Sequence, residues 1–333
     1  MIVHHREEQD PSSPRIDVCW TPLQARDQLL REARAGLGGS PKELTPKWFY
    51  DARGSALFDE ITRLPEYYPT RCELQILRAH AADIARRTQA NVLVELGSGT
   101  SEKTLTLIDA MRERGRLEAF VPFDVCEPFL VEAASRISAR YPGLYVHGVV
   151  GDFERHLYRL PQTGRRVVAF LGSTIGNLKP DQRRLFYRQL SANLRPGEWL
   201  LLGADLVKDR SVLFQAYNDS RGVTAEFNLN VLSVLNRELH ARFIPDHFRH
   251  VARWNEEHSW IEMLLEARHK ERVLVPELGM TAHFEHGERM RTEVSTKFRP
   301  ETVENELADA GMMIREWWTD EQGYFSVCLA ERV

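Results

Sequence analysis

The chain has 333 residues, 43% of them hydrophobic, enough for one large domain or two modest ones and unlike a disordered or fibrous chain. Its net charge of −4 and pI near 6.3 give no basic face for a polyphosphate, which points away from nucleic acid and toward small molecules. Cys19, Cys72, Cys126 and Cys328 lie far apart with no CxxC spacing, which fits neither a disulfide framework nor a zinc site and implies a reducing, cytoplasmic setting.

The opening MIVHHREEQDPSSPR lacks the apolar core of a signal peptide, and residues 1–20 read as a flexible tail. No later segment approaches the ~20 apolar residues that span a bilayer. A helix is predicted over 21–36, opened by Thr-Pro and closed by Gly36. The aromatic-rich KWFYDARGSALFDEITRLPEYYPTR follows, read either as ordinary packing or as an aromatic cover over a pocket. A second helix is predicted over 73–87.

A regular alternation then begins. The apolar runs NVLVEL, AFVPFDV, YVHGVVGD, RRVVAFLGS and EWLLLGADLV read as strands, with helices predicted over 104–114, 127–140 and 181–194. Continuous apolar strands alternating with helices predict a parallel sheet covered on both faces, a doubly wound α/β core. Beyond Lys208 the rhythm changes. A long helical tract is predicted over 211–239, and SWIEMLLEARH and ERVLVPEL suit antiparallel strands of an inserted α+β domain. A helix over 301–310 and the runs MIREWWTD and YFSVCLA complete the sheet, for seven strands in all. The expected division is a tail (1–20), a core (71–207 with 297–333) and a substrate-binding domain (21–70 with 208–296).

The chemistry starts at the first strand-to-helix turn, ELGSGTSEKT. Glycines there let backbone amides approach a ligand at a positive helix end. A nucleotide P-loop needs GxxxxGK[ST]; Lys103-Thr104 supplies the ending, but Glu102 stands where the second glycine belongs. The dinucleotide fingerprint fails at the same residue, since Gly97 and Gly99 are followed by Glu102 instead of a third glycine. S-adenosylmethionine carries no phosphate and needs only the tight turn and acidic groups for its ribose. A turn with no ligand is the bland alternative. Asp124, closing the second strand, can accept ribose hydroxyls or cap a helix. Asp152 can accept an adenine amino group while Phe153 packs on the base. Lys103 either bonds the methionine carboxylate or extends along a helix surface.

These pieces, with PKWFYDARGSALFDEITRLPEYYPTR, FLGSTIGNL, LLLGADLVKD, AYND, GVTAEFN and TEVSTKFRPE, closely resemble the histidine-specific Nα-methyltransferases of ergothioneine biosynthesis, from about Thr21 to the C-terminus. The resemblance implies a Rossmann-like methyltransferase core with Gly97, Lys103, Asp124, Asp152 and Phe153 around S-adenosylmethionine and Tyr50 and Ser173 nearby. It further implies that L-histidine is held by Tyr67, Asn177, Tyr217, Glu293, Val294 and Ser295, with Met263 packed on the ring. Tyr67 and Asn177 would orient the reacting amine. The side-chain chemistry is suitable: an amide can both donate to a carboxylate and accept from an amine, and Glu293 can accept an imidazole N–H. The product would be trimethylated histidine (hercynine), with S-adenosylhomocysteine released. No metal, nucleic acid or membrane is implied, a monomer is expected, and His283 and His286 of HFEH read as strand or loop histidines. Methylation of tryptophan or tyrosine on the same scaffold, and an idle adenosine-binding module, are the rival readings.

Overall fold

The five apolar runs form parallel strands buried along most of their length in the computed structural model, which describes residues 13–333. In chain order the core elements are β1 (Arg15–Val18), α1 (Pro22–Gly38), α2 (Ala52–Ile61), α3 (Tyr68–Thr88), β2 (Val92–Leu96), α4 (Leu105–Glu113), β3 (Ala119–Asp124), α5 (Glu127–Arg140), β4 (Tyr145–Val150), α6 (Phe153–His156), β5 (Arg166–Phe170), α7 (Pro180–Asn193) and β6 (Trp199–Asp205). There follow α8 (Arg210–Ala216), α9 (Val223–Leu239), β7 (Phe248–Asn255), β8 (Trp260–Ala267), β9 (Glu271–Val275), β10 (Met280–Phe284), β11 (Arg289–Thr296), α10 (Pro300–Ala308), β12 (Met312–Thr319) and β13 (Phe325–Arg332).

The main sheet runs β1-β4-β3-β2-β5-β6-β13-β12, parallel through β6 and antiparallel at its last two strands. Side chains alternate across it as a period of two requires. Leu93, Val167, Leu201 and Val327 face one core with α3 and α4, while Val94, Val168, Leu200 and Cys328 face the other with α7 and α10. The chain winds outward from β2 to β4, then returns to β5 beside β2. That reversal opens a crevice at the carboxyl ends of β2 and β5, the usual ligand position in such sheets.

The remaining elements build a roof over this crevice. β11-β8-β7 form an antiparallel sheet and β10-β9 a hairpin, and α9 packs against α2, β7 and the turn Pro46–Phe49. Their apolar faces join the first core without a break, through Phe49, Ile61, Tyr67, Phe227, Phe248 and Phe284. Gly54 permits the closest approach: a side chain there would bring Cβ within 1.7 Å of the Phe49 carbonyl oxygen.

Several expectations are corrected. The tail does not extend to residue 20, because Arg15–Val18 pairs in parallel with β4 and makes the sheet eight-stranded; residues 1–12 lie outside the described residues. Four residues at an edge carry too little pattern to be read as a strand. The tract 211–239 is two helices. Asp219 accepts the N–H groups of Val223 (3.0 Å) and Thr224 (2.8 Å), and Gly222 sits at φ 76, so α9 starts afresh. Helix α2 was hidden inside the aromatic stretch; Asp51 caps it by accepting the Gly54 N–H at 2.8 Å. Strands β7, β10 and β11 were likewise not anticipated. No described helix is long and apolar enough to cross a membrane.

Candidate active site

The glycine turn is held open by the neighbouring strand. Gly97 (φ 66) and Ser98 donate their N–H groups to the Phe123 carbonyl at 2.8 and 3.1 Å. Gly99 (φ 48) donates to Asp124 Oδ2 at 2.9 Å, and Cys126 donates to Asp124 Oδ1, also at 2.9 Å. Asp124 therefore staples the turn to the end of β3, a role beyond the ribose contact expected of it. A Cβ built on either glycine would meet no protein atom within 4 Å. Both glycines instead border a cleft of about 1390 Å³ whose walls include Tyr50, Lys103, Asp124, Asp152, Phe153 and Asn177. The Ser98 hydroxyl is buried in the turn with no hydrogen-bond partner among the described residues.

Asp152 is 2% exposed; its Oδ1 accepts the Glu154 N–H at 2.9 Å and its Oδ2 accepts Lys47 Nζ at 3.0 Å. Phe153 is fixed edge-on by Phe170 and Phe186, at 5.1 and 5.9 Å between centroids. Lys103 does not lie free along its helix: it pairs with Glu73, a fully buried carboxylate that also accepts the Gly172 N–H at 2.8 Å. Glu95, buried at the end of β2, receives hydrogen bonds from Ser101 and Thr104. Burial pushes its carboxyl up to about 7 despite those bonds.

Beneath the cleft lies a chamber of about 40 Å³, walled by Tyr67, Asn177, Tyr217, Met263, Glu293 and Ser295. Tyr50, Phe58, Tyr67, Gly172, Thr174, Asn177 and Glu293 border both spaces, so the two communicate. The sequence-predicted substrate residues thus converge, although they come from five separate segments.

Each is aimed by a local irregularity. The ladder between β11 and β8 slips between Arg291 and Glu293. A bulge of this kind re-aims side chains. Thr292, inside it, is anchored within 2.6 Å of Asn228 Oδ1 and 2.9 Å of the Met263 carbonyl. Glu293 and Ser295, two residues apart, then share the chamber face. Val294 lies on the cleft side, where its carbonyl accepts Asn177 Nδ2 at 2.8 Å. With its amide nitrogen so committed, Asn177 keeps Oδ1 without a partner among the described residues. Tyr67 Oη likewise has none. Tyr217 closes α8 where the expected long helix breaks, and its Oη lies 2.7 Å from Ser295 Oγ.

Burial raises the Tyr67 and Tyr217 hydroxyls well above their ordinary value, so both stay neutral. Glu293 is 8% exposed and makes no ion pair within 4 Å among the described residues. Burial pushes its carboxyl up to about 7, with Lys297 and Asn177 pulling the other way.

Ser173, expected near the cofactor, lies between Gly172 and Thr174, which border both spaces. Its residue is held at φ 57, it borders the inner chamber and not the cleft, and its Oγ accepts the Asp205 N–H at 3.0 Å. Several residues of the site were missed. Thr224, Phe58 and Phe227 line the chamber, and Lys297 lies directly behind Tyr217 and Ser295. The period-two run Glu293, Ser295, Lys297 was the signal for the last of these. His283 is in β10, and His286 lies in the turn after it.

A family model described as histidine-specific methyltransferase, SAM-dependent, matches residues 29–332. The histidine N-alpha-methyltransferase of Mycolicibacterium smegmatis is 56% identical over 308 residues, covering 92% of this chain and 96% of that protein. That of Mycobacterium tuberculosis is 55% identical over 304 residues, covering 91% and 95%. Ergothioneine biosynthesis protein 1 of Neurospora crassa is 28% identical over 285 residues, 83% of this chain but 32% of that longer protein.

Proposed function

Because the chain belongs to the SAM-dependent histidine-specific methyltransferases, we infer that it methylates the α-amino group of L-histidine three times, giving Nα,Nα,Nα-trimethylhistidine (hercynine), a step of ergothioneine biosynthesis. The observation that carries histidine in particular is Glu293, a buried carboxylate with no ion-pair partner within 4 Å among the described residues, on a chamber that opens into the cleft. An imidazole N–H gives that carboxylate a donor from the substrate, and an apolar ring gives it none.

The cleft residues fit S-adenosylmethionine. Gly97 and Gly99 leave open space where any side chain would intrude, the Ser98 hydroxyl lacks a partner among the described residues, and Asp124 and Asp152 offer acceptors to an adenosine. Lys103 is available to a carboxylate, backed by Glu73. When bound, the cofactor supplies an electrophilic sulfonium methyl. The protein's part is to present the amine. An α-amino pKa near ~8 leaves a neutral fraction at physiological pH, and burial enlarges it, so no strong base is required. Tyr67 Oη and Asn177 Oδ1, both unspent, accept amine N–H bonds and direct the lone pair toward the cleft. Such alignment supplies several kcal/mol of a two-substrate barrier. Tyr50, Phe58, Tyr67 and Phe227 meet edge to face or tilted, with centroids 5.6–6.2 Å apart, and these rings tolerate the increasingly cationic nitrogen through cation–π attraction.

We assign cofactor binding to 71–207 with 297–333 and histidine binding to 21–70 with 208–296. We further assign the enzyme to the cytoplasm, as a monomer without metal; four unpaired cysteines suit a reducing compartment. The test is to incubate the protein with S-adenosylmethionine and histidine and follow product mass. Appearance of mono-, di- and trimethylated histidine supports the reading, and none appearing under proven cofactor binding sinks it.

A further inference from the structure

We infer that Lys297 is a positioning residue of the histidine site, holding the Tyr217 and Ser295 hydroxyls so that the pair presents a proton to the bound substrate. The inference rests on the histidine reading above.

Lys297 is an unusual lysine. Its side chain is 0% exposed, and its three N–H bonds have three acceptors: Asp205 Oδ2, Tyr217 Oη and Ser295 Oγ, each at 2.8 Å. Asp205 is itself shared, accepting Tyr68 Oη at 2.7 Å and Lys208 Nζ at 2.5 Å. The positive charge beside the chamber is therefore anchored from behind by a carboxylate that does not reach the substrate.

The two hydroxyls carry two hydrogens and four lone pairs. Lys297 occupies one lone pair on each oxygen, and the 2.7 Å contact between Oη and Oγ consumes one hydrogen and a third lone pair. One hydrogen and one lone pair remain, whichever hydroxyl donates to the other. A hydroxyl that accepts from a cation is polarised as a donor, so the pair is biased toward meeting an acceptor. Glu293, on the same face of β11, supplies an acceptor. A neutral imidazole has one N–H and one bare nitrogen, and a facing acceptor and donor match both. Without the ammonium, three of the four lone pairs are open, and the pair can meet the substrate as an acceptor as readily as a donor.

Lys297→Met tests this. The expected result is a KM for histidine raised by about 10- to 100-fold, the factor a hydrogen bond to a charged group commands. kcat should change less, and S-adenosylhomocysteine affinity should stay within about twofold. In a Tyr217→Phe/Ser295→Ala background the same substitution should add clearly less than it does alone, because only its pull on Glu293 is left. Asp205 keeps Lys208 and Tyr68 as partners in the variant; should Lys297→Met fail to fold, Lys297→Leu, which also removes the ammonium and leaves the Asp205–Lys208 pair intact, takes its place. A folded variant with wild-type histidine KM overturns the inference, as does an effect that is fully additive with the Tyr217 and Ser295 changes. If neither variant folds, the lysine serves the fold and the inference is likewise overturned. Wild-type protein that does not methylate histidine would instead defeat the functional reading.

Discussion

Replacing Glu293 with glutamine should make the protein more stable and less able to use histidine, with the gain confined to neutral and alkaline pH. The carboxyl is pushed from its ordinary 4.5 up to about 7 in the folded chain. That gap corresponds to about 3 kcal/mol at 1.36 kcal/mol per pH unit. The folded state holds the proton more tightly than the unfolded one. Stability from this group is thus complete below about 4.5 and is lost as pH rises to about 7. Above 7 the wild type carries the whole cost of a buried charge, whereas Glu293→Gln carries none. For a chain of this size 3 kcal/mol is worth roughly 5 °C in Tm, as an upper figure. Glu95 titrates in the same range, but it is common to both proteins and cancels in the difference. Differential scanning calorimetry at pH 8 and pH 5 measures the effect, and steady-state kinetics should give a histidine KM raised about 10- to 100-fold. Equal Tm differences at the two pH values, or an unchanged KM, would refute the assignment of Glu293 as a strained substrate acceptor.

Gly99→Ala places a methyl in the open cleft at φ 48; it should cost about 1–2 kcal/mol in stability yet weaken S-adenosylhomocysteine by more than tenfold in calorimetric titration. Gly54→Ala, whose Cβ would lie 1.7 Å from the Phe49 carbonyl oxygen, should lose about 3 kcal/mol, read as a lower urea midpoint at unchanged slope. Asn177→Ala should lower kcat about 100-fold while leaving cofactor affinity near wild type; equal losses in both would show that the residue shapes the cleft and not the amine. Dialysis against EDTA should leave activity intact, and a loss restored by a divalent cation would overturn the metal-free assignment.

The parallel core was legible because its strands are buried on both faces and so read as nearly continuous apolar runs: Val92–Leu96, interrupted only by Glu95, and Arg166–Phe170, apolar after Arg166, are buried at every position. The cleft position of the residues expected to meet the cofactor was legible for a related reason. They sit at strand ends, where Asp124 and Asp152 interrupt an apolar run at a place the topology makes functional. Strand β1 was not legible, since its alignment depends on the edge of β4 and on Asp17 meeting His147 at 2.8 Å, a partner 130 positions away. Nor was the chamber: Tyr67, Asn177, Tyr217 and Glu293 share no spacing, and only the family resemblance gathered them.

Three of the places where local pattern failed help to build the chamber. The tract 211–239 reads as one helix because nothing in its apolar periodicity forbids it; Asp219 and Gly222 break it, and Tyr217 lies at the break. β11 should alternate evenly, but it slips between Arg291 and Glu293, and the slip puts Glu293 in register with Met263 across the strands. Ser173 adopts φ 57 with no glycine's freedom, held by the Asp205 N–H. Each irregularity costs stability that the surrounding packing must over-determine. Asp205 ties two of them together: its backbone holds Ser173, and its carboxylate holds Lys297, which holds Tyr217 and Ser295. A residue closing a core strand thereby sets the geometry of the roof. The chamber is accordingly an extension of the main sheet, and on the proposed reading changes at Asp205 should disturb histidine before they disturb the cofactor.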